Sequence, residues 1–196
     1  MCKVIKTRIL LLFLLIAAIC VQIQCYTTDY SQINAHLERS KATENTGKLI
    51  FRIEPDQKEY YPGAPIYLIF SLENVDTIPF FVNKRFMVGS PDSSPFCREV
   101  YLYLYLPTSD SLPRQRILFL REVADPTREL FVPLWPGDKI HSDKHLLNPY
   151  YEIDEVGKYK VVGVYENYWG PEFGFRNAWM GKIESEPVEF QVLPAE

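Results

Sequence analysis

Two histidines, His141 and His145, stand with Asp138 and Asp143 in the stretch DKIHSDKHLL (138–147). Neutral imidazole and carboxylate are ligands that zinc and similar ions accept, and an i, i+4 spacing keeps both rings on one side of a helix or a strand. Lys139 and Lys144 stand as near to the rings as the acids do, so the same stretch reads as a solvated edge, and no metal or other cofactor is expected. Serines gather in GSPDSSPF (89–96), a proline-rich turn rather than the strand–turn–helix setting of a nucleophile elbow. Asp125, Glu129, Asp154 and Glu155 are scattered as on an acidic surface, not paired as in a glycoside hydrolase. A glycine-rich phosphate loop and closely spaced cysteine pairs are both lacking. The chain is therefore expected to be non-enzymatic, with no catalytic residue.

The richer signal is aromatic. Between two strand-like runs, residues 167–186 carry Tyr168, Trp169, Phe173, Phe175 and Trp179, with Arg176 among the rings. A hairpin connection needs two to five residues, and long connections in small domains are often functional. These six residues are the candidate binding set, for a protein or a glycan. The competing reading is a compact loop packed on its own rings, a lid over the core. Tyr101, Tyr103 and Tyr105 of YLYLYL (101–106) offer a second aromatic stripe, with the leucines inward and the tyrosines outward or under a loop.

The elements that would position these groups alternate with a period of two and are punctuated by proline and glycine. KLIFRI (48–53), IYLIFSLEN (66–74), PFFVNKRF (79–86), EVYLYLYLP (99–107), RILFLRE (116–122), ELFVPLWPGD (129–138), KYKVVGVYE (158–166) and PVEFQVL (187–193) read as strands, and YYPGAP (60–65) as a type II turn. In IYLIFSLEN, Ile66, Leu68, Phe70 and Leu72 form one apolar face, which is the core face. Pro79, Pro133 and Pro187 fall at strand ends or edges, where they discourage edge-to-edge pairing. No helical period extends over eleven residues outside the N-terminus. The expectation is an all-β fold, an antiparallel sandwich of about seven to nine strands over residues 48–196.

Upstream, Lys3, Lys6 and Arg8 precede an apolar run from Ile9 to Ile19, the pattern of a secretory signal that is too short for a comfortable membrane span. Residues 1–25 are read as this signal and 26–47, polar and without periodicity, as a flexible arm. The protein is then secreted, periplasmic or otherwise extracytoplasmic, with no membrane span once the signal is removed. A lipid-anchored or N-terminally anchored form is the less favoured alternative, because Ile19 and Gln24 are poor residues to precede an acylated cysteine. The whole chain holds 21 basic against 25 acidic residues; without the first 25 it holds 18 against 25, a formal charge of −7. That balance gives no electrostatic reason to bind nucleic acid or an anionic lipid surface. Of Cys2, Cys20, Cys25 and Cys97, cleavage after Cys20 leaves Cys25 and Cys97 to pair in an oxidising compartment, and cleavage after Cys25 leaves Cys97 alone.

In YEIDEVGKYKV (151–161) an acidic turn and a glycine precede a tyrosine that enters an alternating strand. This resembles the tyrosine corner of immunoglobulin-like sandwiches, in which a tyrosine sends its hydroxyl back to an upstream backbone group. The resemblance implies that role for Tyr159, with Gly157 as the permissive backbone position. The Ig cysteine two residues on is Val161 here, so the resemblance is to disulfide-free domains. YYPGAPIYLIFSLENVDTIPFFVNKRF, LWPGD, GKYKVVGVYEN and WMGKIESEPVEFQV are similar to a loose group of exported bacterial single-domain proteins of that fold. That likeness implies architecture and an extracytoplasmic location and no chemistry. With the flexible arm, the acidic body and the aromatic connection, the expected function is a non-enzymatic interaction or structural module at the cell envelope, contacting a protein or glycan through loops at one end of the sandwich. A weaker similarity, carried by Asn74 and Pro79, is to proteinase-inhibitor domains of Ig-like fold, which would present a loop such as GSPDSSPFC (89–97) to an enzyme.

Overall fold

Backbone pairing begins where alternation begins. The computed structural model describes residues 48–92, 98–107 and 126–195, and eleven strands run through them with two single 3₁₀ turns and no longer helix. β1 (Leu49–Pro55) pairs antiparallel with β3 (Tyr67–Asn74), placing Phe51 opposite Leu72 and Ile53 opposite Phe70. Both strands bury every second side chain: Leu49, Phe51 and Ile53 from one, Leu68, Phe70 and Leu72 from the other. The far edge of β3 takes β7 (Lys139–His141) and β8 (His145–Leu146). Between them Ser142 keeps the ladder unbroken, its amide donating to Phe70 O and its Oγ accepting from Phe70 N, each at 2.9 Å.

The second sheet is organised around β9 (Gly157–Asn167), the longest strand. One edge of β9 pairs with β5 (Val100–Tyr105). The other edge is shared by β10 (Gly181–Glu184) along its last residues and β11 (Val188–Val192) along its first. β2 (Glu59–Tyr60) then lies parallel to β11, the one parallel strand pair among the described residues. A separate two-stranded sheet joins β4 (Phe80–Asn83) to β6 (Phe131–Leu134).

One core lies between the two larger sheets, with Phe51 5.9 Å from Tyr165 and 6.0 Å from Phe70, ring centre to ring centre. The sheets approach so closely at Gly163 that a Cβ there would stand 2.6 Å from Ile53 Cγ2, so the position admits only glycine without repacking. Further along, Tyr159 stacks on Phe190 at 5.3 Å, and Tyr60 meets Phe190 edge-on at 5.5 Å.

The anticipated runs that shorten most are 79–86 to β4, 99–107 to β5 and 129–138 to β6. Each sheds residues that turn or cap rather than pair. After β4, Phe86 takes the left-handed region at φ 49° with its ring in the core, and after β6 a tight turn follows at once. The strands β7 and β8 fall in a stretch read from sequence as a solvated loop or edge. Ile140 and Leu146 are their only apolar residues, all five are half-exposed or exposed, and they pair through backbone groups that leave little imprint on side-chain pattern. The run 116–122 lies outside the described residues.

Candidate functional site

The aromatic connection leaves β9 at Asn167, whose buried amide closes its base. Nδ2 donates to Trp169 O at 2.8 Å and to Trp179 O at 2.7 Å, tying the two ends of the loop together. Between those ends Gly170 sits at φ +155° with Ala178 so near that a Cβ would meet it at 2.2 Å. A 3₁₀ turn follows at Pro171–Phe173, ended by Gly174 at φ 90°. The loop then lies along β4, with Phe81 N donating to Asn177 O at 3.2 Å and Trp179 N to Phe81 O at 2.8 Å.

That course turns most of the rings onto the β4–β6 sheet. Phe175 is 4.4 Å from Phe81 and 5.4 Å from Phe131, Phe173 is 5.4 Å from Phe131, and Trp169 packs on Phe173 at 6.0 Å. Trp179 is buried and faces Tyr165 in the core at 5.7 Å. Tyr168 is half-buried and gives its hydroxyl to Glu166; burial first, and then that hydrogen bond, push its phenol well above the usual range. Of the six candidate residues only Arg176 is exposed. Arg128 lies over the Phe175 ring at 5.5 Å, so the half-exposed rim of this cluster carries two guanidinium groups.

The side chains that do face solvent beside it were not singled out by sequence. Val75, Ile78 and Trp135 are 42%, 49% and 59% exposed, three of the five large exposed hydrophobics among the described residues. Asn74 bolts their two turns together: Nδ2 donates to Ile78 O at 2.9 Å and to Leu134 O at 2.8 Å, and Asn74 O accepts from Gly137 N at 2.8 Å. Trp135-Pro136-Gly137-Asp138 is a type II turn, closed by Asp138 N on Trp135 O at 2.9 Å with Gly137 at φ 83°. Asn177 Nδ2 reaches Pro79 O at 3.4 Å, so the connection abuts the 75–79 turn. The signal for this tip was present as WPGD, since a Pro-Gly turn directly after a tryptophan leaves the ring no strand to pack on.

Two buried ion pairs lie beneath the loops. Arg85 and Asn83 hold the Glu99 carboxylate, Arg85 Nε at 2.8 Å from each oxygen, and the Met87 amide adds a third donor at 3.1 Å. Burial still pushes the Glu99 carboxyl above its ordinary range, against the pull of these donors. Arg98 pairs with Glu166 at 2.7 Å. Charged residues at a strand mouth look like surface in a sequence, and nothing in their spacing marks them as buried.

Elsewhere, Tyr159 Oη donates to Glu155 O at 3.0 Å and accepts from Glu155 N at 3.1 Å. Gly157 has φ +142°, with Pro107 Cβ only 2.5 Å from where its own Cβ would stand. Tyr101 is buried, with Arg98 over its ring at 4.1 Å, while Tyr103 and Tyr105 are half-buried and Lys160 covers Tyr105 at 4.4 Å. His141 is exposed on β7, and His145 stacks on Phe70 at 4.7 Å; Asp138 is engaged with Trp135 N at 3.1 Å. No group of three or more His, Cys, Asp or Glu able to hold a metal occurs among the described residues. Cys25, Cys97 and residues 93–96 of the serine-rich stretch lie outside those residues, and no helix among them is long and apolar enough to cross a membrane. The class the coordinates define is an all-β chain built mainly of antiparallel sheets. No family model and no curated protein matches it.

Proposed function

We propose that the chain is an exported, non-enzymatic module with an immunoglobulin-like sandwich fold, acting at the cell envelope or beyond it by contacting a protein or glycan through loops at one end. The fold reading draws support from two mainly antiparallel sheets that share one core and from the Tyr159 hydroxyl returning to the Glu155 backbone, both features of that architecture. The observation that carries the functional reading is the tip: Val75, Ile78 and Trp135 exposed on two turns fixed by Asn74, beside the arginine-rimmed aromatic connection. Exposed apolar side chains grouped on rigid turns suit contact, since presenting them costs little ordering on binding. The contact set is then Trp135, Ile78 and Arg176 with the outer edges of Trp169, Phe173 and Phe175. Testing the secreted chain against glycan arrays and a panel of envelope proteins should give binding that Trp135→Ser and Arg176→Ala abolish without lowering the melting temperature. Binding insensitive to both variants would move the contact face elsewhere.

The alternative, an inhibitor-like domain presenting the 89–97 loop to a protease, is favoured by one feature of that loop's described start: Arg98 holds the carbonyls of Ser90 and Pro91, at 2.7 and 3.1 Å. Stoichiometric inhibition in a protease panel would establish it in place of the first reading.

A further inference from the structure

Arg98 is buried, with 4% of its side chain exposed, and its guanidinium is divided among three acceptors in two segments. Nη1 donates to Glu166 Oε2 at 2.7 Å, Nε to Ser90 O at 2.7 Å and Nη2 to Pro91 O at 3.1 Å, while the Tyr101 ring covers its face at 4.1 Å. Glu166 in turn accepts the hydroxyl of Tyr168, the first residue of the aromatic connection beyond β9. The backbone follows the same route, with Glu166 N donating to Glu99 O at 2.7 Å and Gly89 N to Val100 O at 2.9 Å. Ser90 and Tyr168 are far apart in sequence, yet one side chain and its counter-ion separate them.

We propose that Arg98 couples the 89–92 turn to the start of the aromatic connection, so that a displacement of either loosens the other. The guanidinium is a planar fork whose donors point in fixed directions, so it cannot follow Glu166 and keep both carbonyls. A buried cation that loses its carboxylate has no water to replace it, and it leaves rather than stays unpaired. When it leaves, the Ser90 and Pro91 carbonyls lose the guanidinium donors together. Lysine carries the same charge on one compact nitrogen in place of the planar three-nitrogen fork, so it preserves the ion pair and loses the relay. Lys182, opposite Glu166 across the β9–β10 ladder and 5.6 Å from the Tyr101 ring, is the other cation in the cluster, and it is exposed. The coupling is reciprocal by thermodynamic necessity, so a partner or protease held at one loop alters the stability of the other.

Amide hydrogen exchange on the secreted chain tests this with Tyr168→Phe, which deletes one hydroxyl and keeps the ring. The expected result is exchange at Gly89, Ser90 and Asp92 at least about fivefold faster, with the β1 and β3 amides unchanged. In Arg98→Lys those three amides exchange fast from the outset, and adding Tyr168→Phe changes them no further. Acceleration confined to residues 166–170, or spread equally over β1 and β3, overturns the proposal. If Arg98→Lys does not fold, the pattern in Tyr168→Phe alone decides.

Discussion

Ser185 completes the backbone ladder of Gly163 from a break in the neighbouring strand: its amide donates to Gly163 O at 2.8 Å and its Oγ accepts from Gly163 N at 2.9 Å. β10 and β11 are thereby one interrupted strand running along β9, and the hydroxyl takes the place of the missing backbone acceptor. Ser142 does the same for Phe70 between β7 and β8. In both sheets a serine lets the edge bend without leaving a buried amide unpaired.

Replacing Ser185 with alanine should therefore cost about 1–3 kcal/mol in urea unfolding, the penalty of a buried donor left without its acceptor. Gly163→Ala should cost a similar or larger amount through overpacking, about 1–3 kcal/mol, because the new methyl would stand 2.6 Å from Ile53 Cγ2 and 2.9 Å from Phe51 Cε1. Wild-type midpoints in both variants would mean that the sheets separate more easily than this packing allows.

Tyr159→Phe removes the hydroxyl that both donates to and accepts from Glu155, at an expected cost of about 1–2 kcal/mol. Gly157→Ala should be worse than that, since it forces a side chain onto φ +142° and onto Pro107 Cβ at 2.5 Å. Thermal melts of the two variants, ranked against each other, check the order.

His145 gives the fold a dependence on pH. Burial against Phe70 holds its imidazole below the usual 6.5, with Asp143 pulling weakly the other way. The unfolded chain then takes up a proton more readily than the folded one. Stability is full above the unfolded pKa and is lost as pH falls through about 6.5 towards the folded value. The melting temperature of the wild type should fall between pH 8 and pH 5.5 by more than that of His145→Gln. Parallel pH profiles in the two proteins would remove His145 from the account.

The strands with an apolar face were legible because alternation reports burial directly: Phe51 and Ile53, Leu68 and Phe70, Leu102 and Leu104 all lie in the core. β7 and β8 were not, because their place is set by backbone pairing with β3 and by one serine hydroxyl, which leave no apolar period. The candidate site divides along the same line. The ring-rich connection was visible as composition, but which rings turn inward depends on Phe81 and Phe131, about forty to ninety residues away in sequence. Trp135 looked like a strand residue, since apolar type alone does not separate a ring that packs from one lifted off by a Pro-Gly turn, and Ile78 fell between two strand-like runs. Arg98 and Glu166, 68 residues apart, carry no sequence mark of their pairing.

The roles of the aromatic residues separate by stability. Trp179 is 6% exposed, faces Tyr165 at 5.7 Å, and has its carbonyl held by Asn167, so Trp179→Ala should cost about 3–5 kcal/mol. Trp135 and Arg176 are exposed, and Trp135→Ser or Arg176→Ala should shift stability by no more than about 0.5 kcal/mol. Trp169 and Phe173 lie between, half-buried on each other at 6.0 Å, and alanine there should give intermediate losses. A flat profile across all five would mean that the connection is not a lid at all. The graded profile would leave Trp135 and Arg176 as positions whose side chains the fold does not need, and a partner-binding assay on those two variants would then read contact free of any effect on folding.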